Sequence, residues 1–467
     1  MKGKHSNIFN YLLVAIYFVV GTQFLVQYYE VVPISAISLL YAFYLIKRLF
    51  DALGEKLPFK ELILSLLGLQ MLIAPYLEYY YFHNKVFGIM TVDENTYFSF
   101  VLTATLALHL GLNIFYPYNT YEKELFESLK IRSRFNIITG VSLIIIGYIF
   151  HLSSNYIPTV LNFVVVSLAF MRFIGFFYLW IAGSKYSKFA FGVVFIPFMI
   201  LIFRATIFID LIVFSILITS IYVMKYKVVK WKIVLIAFLG FFSILVLQSV
   251  KYSYRNIVWS AEFEGNSGLI LADMMYQQIT NLNTLDLKTV GANINVRLNQ
   301  GWILCGILEN IPARTPFSQG SYVKKEVLGL LLPRFLYQDK PVVGDRTKFE
   351  QFVGYRLGQG VAMNVGIMGD GYGNYGWRGG ILFCFIFGLA LGYIFKLFYR
   401  FAKTYPTLPI WGILIFFYSM RAGNEFYIIG NWIIKTGILV FFYYFLIESN
   451  NRISKYLKPK ALNPAVA

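Results

Sequence analysis

Phe163–Ile181 reads FVVVSLAFMRFIGFFYLWI, nineteen residues with one charge, Arg172, near the middle. A helix rises about 1.5 Å per residue, so this run is about 30 Å long and matches the hydrocarbon core of a bilayer. Runs of this kind recur, about twelve in all, centred near residues 18, 41, 70, 106, 143, 170, 196, 216, 241, 388, 415 and 438. Backbone in lipid must satisfy its own hydrogen bonds, so the runs are read as helices. With 58% hydrophobic residues and a mean hydropathy of +0.63, the 467-residue chain is not a water-soluble one. The fold class expected is an all-α polytopic integral membrane protein. The first run follows Lys2, Lys4 and His5 without a small-residue cleavage site, so it is expected to be a retained helix rather than a signal peptide.

The net charge of +18 raises nucleic acid as a partner, but the placement of the charge argues against it. Alternate short loops, with the two ends of the chain, carry 23 Lys and Arg, among them Lys47, Arg48, Lys123, Arg132, Lys225 and Lys396. The intervening short loops carry three: Lys85, Arg204 and Arg421. Positive loops stay on the cytoplasmic side, so this asymmetry predicts both termini inside. Cys305 and Cys384, one in a polar segment and one in an apolar run, are not expected to form a disulfide.

One stretch breaks the pattern. Residues 251–376 hold a dozen basic and ten acidic residues, and the charge asymmetry puts them outside. The organisation expected is nine helices in 1–250, a large outer loop over 251–376, three helices in 377–450 and a basic cytoplasmic tail over 451–467. The run from about Phe189 to Met224 is too long for one span and is split at Arg204 into a hairpin. Apolar patches such as Gly301–Leu308 and Val327–Leu332 lie between Pro312, Pro316, Pro333 and Pro341, which predicts short helices joined by ordered turns. Gly358 to Gly380 holds nine glycines in 23 residues, a composition suited to close approach of backbone to a ligand.

Six arginines punctuate the loop: Arg255, Arg297, Arg314, Arg334, Arg346 and Arg356. The guanidinium is a planar fork of donors suited to phosphate, and at a membrane surface that phosphate belongs to a lipid. The plainer reading is that they pair with the loop's own acids. No histidine lies in the loop; the four are His5, His83, His109 and His151, of which the last three are read as packing or interfacial residues. No Asp-x-Asp pair, Cys/His cluster or phosphate-cradling Gly-x-x-x-x-Gly-Lys-Ser/Thr string occurs, so neither a cofactor nor a metal is expected. Arg172, Arg204, Asp210 and Lys435 fall in or near the apolar runs, where charge is costly and points to function. Arg204 and Arg421 are expected to line a cavity on the side of the large loop. The alternatives are snorkelling to headgroups and, for Arg421, pairing with Glu425.

Two strings are sharper. One is Leu331-Leu-Pro-Arg-Phe-Leu-Tyr-Gln-Asp-Lys-Pro341, containing Arg334, Asp339 and Lys340. The other is Met368-Gly-Asp-Gly-Tyr-Gly-Asn-Tyr-Gly-Trp-Arg-Gly-Gly380, containing Asp370, Tyr372 and Asn374. In this order, just before an apolar run, they resemble the oligosaccharide repeat-unit polymerases, the Wzy-type family that builds O-antigens and related bacterial surface polysaccharides. The match covers about 50 residues; the wider likeness is one of architecture. Many relatives carry Glu where this chain has Asp370.

The resemblance implies a membrane glycosyltransferase of GT-C-like architecture in a bacterial inner membrane, with its large loop periplasmic. It would polymerise undecaprenyl-pyrophosphate-linked oligosaccharides, which serve as both donor and acceptor, alongside membrane lipids and a chain-length-regulating co-polymerase. The acceptor hydroxyl attacks the donor's anomeric carbon and undecaprenyl pyrophosphate leaves. Fixed cations then stabilise the departing charge, and a carboxylate can take the hydroxyl proton. On that reading Asp370, Arg334 and Arg356 carry catalysis. Arg204, Arg297, Arg314, Lys340, Arg346, Arg421, Tyr372 and Asn374 bind pyrophosphate or sugar; Asp339 and Asp345 are further carboxylates. The alternatives are an O-antigen ligase, whose loop usually offers the histidine missing here, and a non-enzymatic flippase or transporter of lipid-linked glycans.

Overall fold

Every described element is helical. The computed structural model describes residues 2–445 apart from 84–87, 118, 132, 159–161, 206–208, 259–264, 282–285, 335, 343 and 359–360. The expected tail over 451–467 lies outside the described residues. In chain order the helices are α1 (Lys2–Tyr29), α2 (Pro33–Ala52), α3 (Phe59–Phe82), α4 (Glu94–Phe115), α5 (Glu122–Ile131) and α6 (Ser133–Leu152). Then come α7 (Asn162–Ile181), α8 (Ser187–Ala205), α9 (Ile209–Tyr226) and α10 (Lys230–Val258). The polar segment forms α11 (Ser267–Thr280), α12 (Leu287–Leu298), α13 (Gly301–Asn310), α14 (Ser321–Leu331) and α15 (Arg346–Val353). Last are α16 (Gly366–Ala402), α17 (Leu408–Ile415) and α18 (Phe426–Tyr443).

Eight of these helices are long and apolar enough to cross a membrane, or nine if the bent pair α5–α6 counts as one span. The chain is therefore a multi-pass membrane protein. Leu12, Ile16, Val19, Val20 and Phe24 of α1 are exposed, as side chains facing lipid would be. The split near Arg204 is present: α8 ends at Ala205 and α9 begins at Ile209. Two of the expected runs form shorter elements. The run near 196 gives a short apolar helix, Ser187–Ile202, with Pro197 inside it, which removes an intrahelical hydrogen bond. The run near 415 gives only eight helical residues, α17, followed by a 3₁₀ turn, Phe417–Met420. Broken backbone at membrane depth is tolerated where protein surrounds it, and all eight residues of α17 are buried.

Small residues set how the helices meet. A Cβ on Gly388 of α16 would meet the Leu108 carbonyl and lie 3.0 Å from the Leu112 nitrogen of α4. Gly392 faces the Leu112 carbonyl at 2.6 Å, so α4 and α16 pack backbone against backbone and run the same way. Gly147 of α6 does the same for α7: its Cβ position lies 2.8 Å from the Cβ of Arg172. That close approach holds Arg172 against α6.

The boundary expected at 376/377 coincides with a break within α16, but the glycine-rich residues before it, 366–375, are helical rather than a ligand-cradling loop. Gly376 sits at φ 70° and ψ −164°, a conformation that breaks the helix there. On a straight helix residues 371 and 380 would stand about 13 Å apart. Here a Cβ on Gly371 would lie 2.9 Å from the Gly380 carbonyl oxygen. The 366–375 arm is thus folded back on the arm that follows, and Gly371 and Gly380 serve that contact. The expected boundary at 250/251 falls inside α10, which runs on to Val258; beyond it the described residues of the polar segment form the short helices α11 to α15. Its most apolar element, α13, is tucked under Pro75 and Tyr97, which crowd Gly301.

Candidate functional site

The fold brings together two groups of ionisable side chains. The first lines a cavity of about 550 Å³ walled by α6, α7, α8, α9, α18 and the chain just after α17. That volume is within the usual range for ligand sites. Its charged and titratable residues are Arg172, Arg421, Asp210 and His151, set among Phe170, Phe214, Phe417, Tyr418 and Trp432. Arg172 is buried and donates to the Ala169 carbonyl at 3.1 Å. Its guanidinium carbon stands 4.8 Å from the centre of the Phe173 ring and 5.7 Å from that of Tyr148. Arg421 donates from Nη2 to Asp210 Oδ1 and lies 4.8 Å from the Tyr418 ring centre, while its buried Nε has no acceptor among the described residues. The cavity lining thus holds two guanidiniums and one carboxylate, which pairs with Arg421, an excess of positive charge.

The second group surrounds Lys348, a lysine 1% exposed on α15. Its Nζ is 2.5 Å from Glu326 Oε1 on α14 and 2.9 Å from Glu425 Oε2 at the start of α18, and it contacts Asp370 Oδ1 on α16. Asp370 Oδ2 accepts from the Phe426 N–H at 3.0 Å, and Glu425 Oε1 accepts from the Val365 N–H at 3.0 Å. Oxygens of the three carboxylates lie within 4.8 Å of one another, close enough to hold a metal ion. The cation that sits among them is the Lys348 ammonium. Burial opposes that ammonium, but Asp370, Glu425 and Glu326 outweigh it and hold it protonated well above the ordinary lysine value. Burial, followed by the Asp370 charge, pushes Glu326 up to about 8 against the pull of Lys348. Burial also raises Glu425.

The residues singled out from the sequence divide between these groups and the surface. Arg421 lines the cavity, paired with Asp210 rather than with Glu425. Arg204 ends α8, and its side chain, like that of Arg255, lies outside the described residues. Asp370 is completely buried in the Lys348 cluster. Tyr372 and Asn374 are buried as well: Tyr372 donates to the Ile311 carbonyl at 3.1 Å, and Asn374 Nδ2 to the Asp370 carbonyl at 2.9 Å. Neither offers a face to a sugar, because the folded-back arm of α16 points them into the protein; Tyr375 and Trp377 are the exposed aromatics of that string.

The loop arginines are not gathered at one point. Arg314 pairs with Glu309 at 3.3 Å, and Arg297 is exposed near the end of α12. Arg346 bonds Glu350 at 2.7 Å and the carbonyls of Leu357 and Gly358, closing the turn after α15. Arg356 is exposed in that turn, close enough to act on Glu350. Arg334 is exposed beyond α14. Lys340 donates to the Leu332 carbonyl at 2.9 Å and feels the Arg334 charge, as Lys435 of α18 feels both. Asp339 is exposed, and Asp345 caps α15 through the Thr347 N–H at 2.9 Å.

The sequence reading does not single out Lys348 and Glu326, and it takes His151, which lines the cavity, for a packing or interfacial residue. A signal was present for the first two. In Arg346–Val353 the buried positions are Lys348, Phe349, Phe352 and Val353, so Lys348 sits on the apolar face at helical spacing. Glu326 shares the buried face of α14 with Gly329. No protein-family model, curated protein or solved structure matches this chain.

Proposed function

We propose that this protein is a membrane glycosyltransferase that polymerises undecaprenyl-pyrophosphate-linked repeat units into O-antigen or a related surface polysaccharide. The finer topology belongs to the proposal: about twelve spans, both termini cytoplasmic, and the polar segment on the periplasmic face of a bacterial inner membrane. The supporting observation is the cavity lined by Arg172 and by Arg421, with a single carboxylate, Asp210, paired to Arg421. Arginine recognises phosphate through paired donors, and a buried excess of positive charge stabilises a departing pyrophosphate more strongly than a solvated one would. Pyrophosphate is a good leaving group, so the acid–base demand on the protein is small. The carboxylate that shares the cavity with the arginines is Asp210, whereas Asp370 is occupied by Lys348 and the Phe426 N–H.

A flippase or transporter of lipid-linked glycans is the second reading. It is favoured by one observation: Arg172, which lies within a span, lines the cavity while Arg334 and Arg356 stand exposed. An O-antigen ligase would use the same phosphate chemistry. The deciding experiment is the glycan chain-length profile of cells lacking the protein, complemented with wild type, Arg172→Gln or Arg334→Ala. Collapse of a ladder to single repeat units, restored by wild type and not by Arg172→Gln, supports polymerisation at the cavity. Loss of all surface glycan with lipid-linked units trapped inside supports the flippase, and an unchanged ladder sinks both.

A further inference from the structure

Four helices contribute one ionisable side chain each to the Lys348 cluster, and none of the four side chains is more than 4% exposed. With every group charged, three carboxylates would face one ammonium away from water. Each unbalanced buried charge costs several kcal/mol, so the cluster must hold protons. The hydrogen bonds single out where. Asp370 Oδ2 accepts from the Phe426 N–H, while its Oδ1 makes no hydrogen bond but lies against the Lys348 ammonium as an ion pair; Glu425 uses both oxygens, on Lys348 and on the Val365 N–H. Glu326 uses only Oε1, and its buried Oε2 has no partner among the described residues. A protonated carboxyl oxygen fits there at least cost.

The cluster is also wired to the cavity. Glu425 ends the 421–425 turn, which carries Arg421 into the cavity at its other end. The turn is pinned by the Asn424 N–H to the Arg421 carbonyl at 3.1 Å, Asn424 Nδ2 to the Tyr418 carbonyl at 2.8 Å and the Ala422 N–H to Gln70 Oε1 at 3.2 Å. Its far end is held by the bonds of Glu425 and Phe426 to α15 and α16.

We propose that Glu326 is the proton-holding member of the Lys348 cluster, and that this proton keeps the 421–425 turn in place so that Arg421 faces the anion in the cavity. Glu326 is then a positioning residue, and its effect on binding rests on the phosphate-site reading above. Loss of the proton sets three carboxylates against one ammonium and pushes Asp370 and Glu425 apart. Because Glu326 is raised to about 8, that loss falls in mild alkali. Of the other described titratable groups around the cluster, the one cation, Arg334, acts on Tyr427 rather than on the carboxylates. These groups are Tyr322 on α14, whose ring centre is 5.9 Å from Lys348 Nζ, Asp345 beside α15, Cys384 on α16, and Tyr427 on α18 with Arg334 beyond it.

The test uses the full-length protein in lipid nanodiscs. Inorganic pyrophosphate is titrated calorimetrically at about pH 6.5 and about pH 9 into wild type, Glu326→Gln and Arg421→Ala. Hydrogen exchange of the 421–430 backbone is measured in parallel, each pH being compared across variants. Affinity of wild type should fall roughly fivefold more than that of Glu326→Gln over this range. Faster exchange of the 424–429 amides at high pH should occur in wild type alone. Equal pH profiles in the two proteins, in binding or in exchange, overturn the proposal. If wild type binds no pyrophosphate, or Arg421→Ala binds as well as wild type, the cavity reading fails, and the exchange data alone then decide the role of Glu326. Should Glu326→Gln not fold, infrared spectra of wild type decide: a protonated carboxyl band lost between the two pH values supports the proposal, and no such loss overturns it.

Discussion

Arg421 and Asp210 stand 211 positions apart in the chain and form an ion pair in the wall of one cavity. Each lies next to a break between helices. Asp210 is in the first turn of α9, and Arg421 directly follows the 3₁₀ turn that ends the broken α17. The two breaks bring opposite charges together, and Arg172, from the middle of α7, adds a second guanidinium without a carboxylate of its own.

Arg172→Gln should remove the uncompensated charge and leave the fold intact, because no acid pairs with Arg172 among the described residues. A charge-assisted contact is worth about 1.5–3 kcal/mol, so pyrophosphate affinity should fall roughly 10- to 100-fold. Calorimetry on the purified protein measures this, and wild-type affinity in the variant would remove Arg172 from the site.

Arg421→Ala should behave differently, because it strands Asp210. A loss of about 1–3 kcal/mol of stability is expected from the orphaned carboxylate. The double variant Arg421→Ala/Asp210→Ala should recover most of that stability while still failing to bind pyrophosphate. Thermal melts of the four members of the cycle test this coupling; additive losses would mean that the pair contributes nothing.

Lys348→Met should be among the most damaging single changes outside the cavity. It leaves the buried Asp370 and Glu425 carboxylates without their cation, an effect of about 3–5 kcal/mol. Adding Glu326→Gln should return little of the loss, since Glu326 already holds a proton and its amide removes no charge. A Lys348→Met protein with wild-type melting temperature would show that the cluster is not a structural centre.

Stability should also depend on pH through Glu326. Its folded value, about 8, is above its ordinary 4.5, so the folded protein holds the proton more tightly than the unfolded chain does. The stabilisation is fully present below about 4.5, falls as pH rises toward 8 and is gone above it. Glu425, also raised, acts in the same direction, and Lys348 stays charged throughout. Melting temperatures of wild type should therefore decline across this window, and Glu326→Gln should flatten the decline.

At the α4–α16 contact, Gly388→Ala would drive a methyl group into the Leu108 carbonyl, where neither backbone can yield. Overpacking of this kind costs about 1–3 kcal/mol. Gly437→Ala, with nothing within 4 Å of the new carbon, is the matched control and should be silent. Yields of folded protein from membranes and melting temperatures compare the two.

Much of the molecule was legible in its hydropathy. Helices, a break near Arg204, the polar segment with its short helices, and Arg421 at a cavity all follow from local composition. The glycine-rich string was misread as a loop because glycine serves equally in turns and in close helix contacts, and only the neighbours of Gly371 and Gly376 separate the two uses. Tyr372 and Asn374 went inward for the same reason.

The sequence by itself determined that the chain lives in a membrane, because roughly twenty apolar residues in a row must satisfy their backbone internally wherever they pack. It also marked which charges are costly. The tertiary structure alone decided which charges meet: Arg421 with Asp210 rather than Glu425, and Lys348 with Glu326, Asp370 and Glu425. Hydropathy is a property of neighbours along the chain. The fate of a buried charge depends on the helix that comes to lie across from it, a long-range outcome of packing that no local window contains.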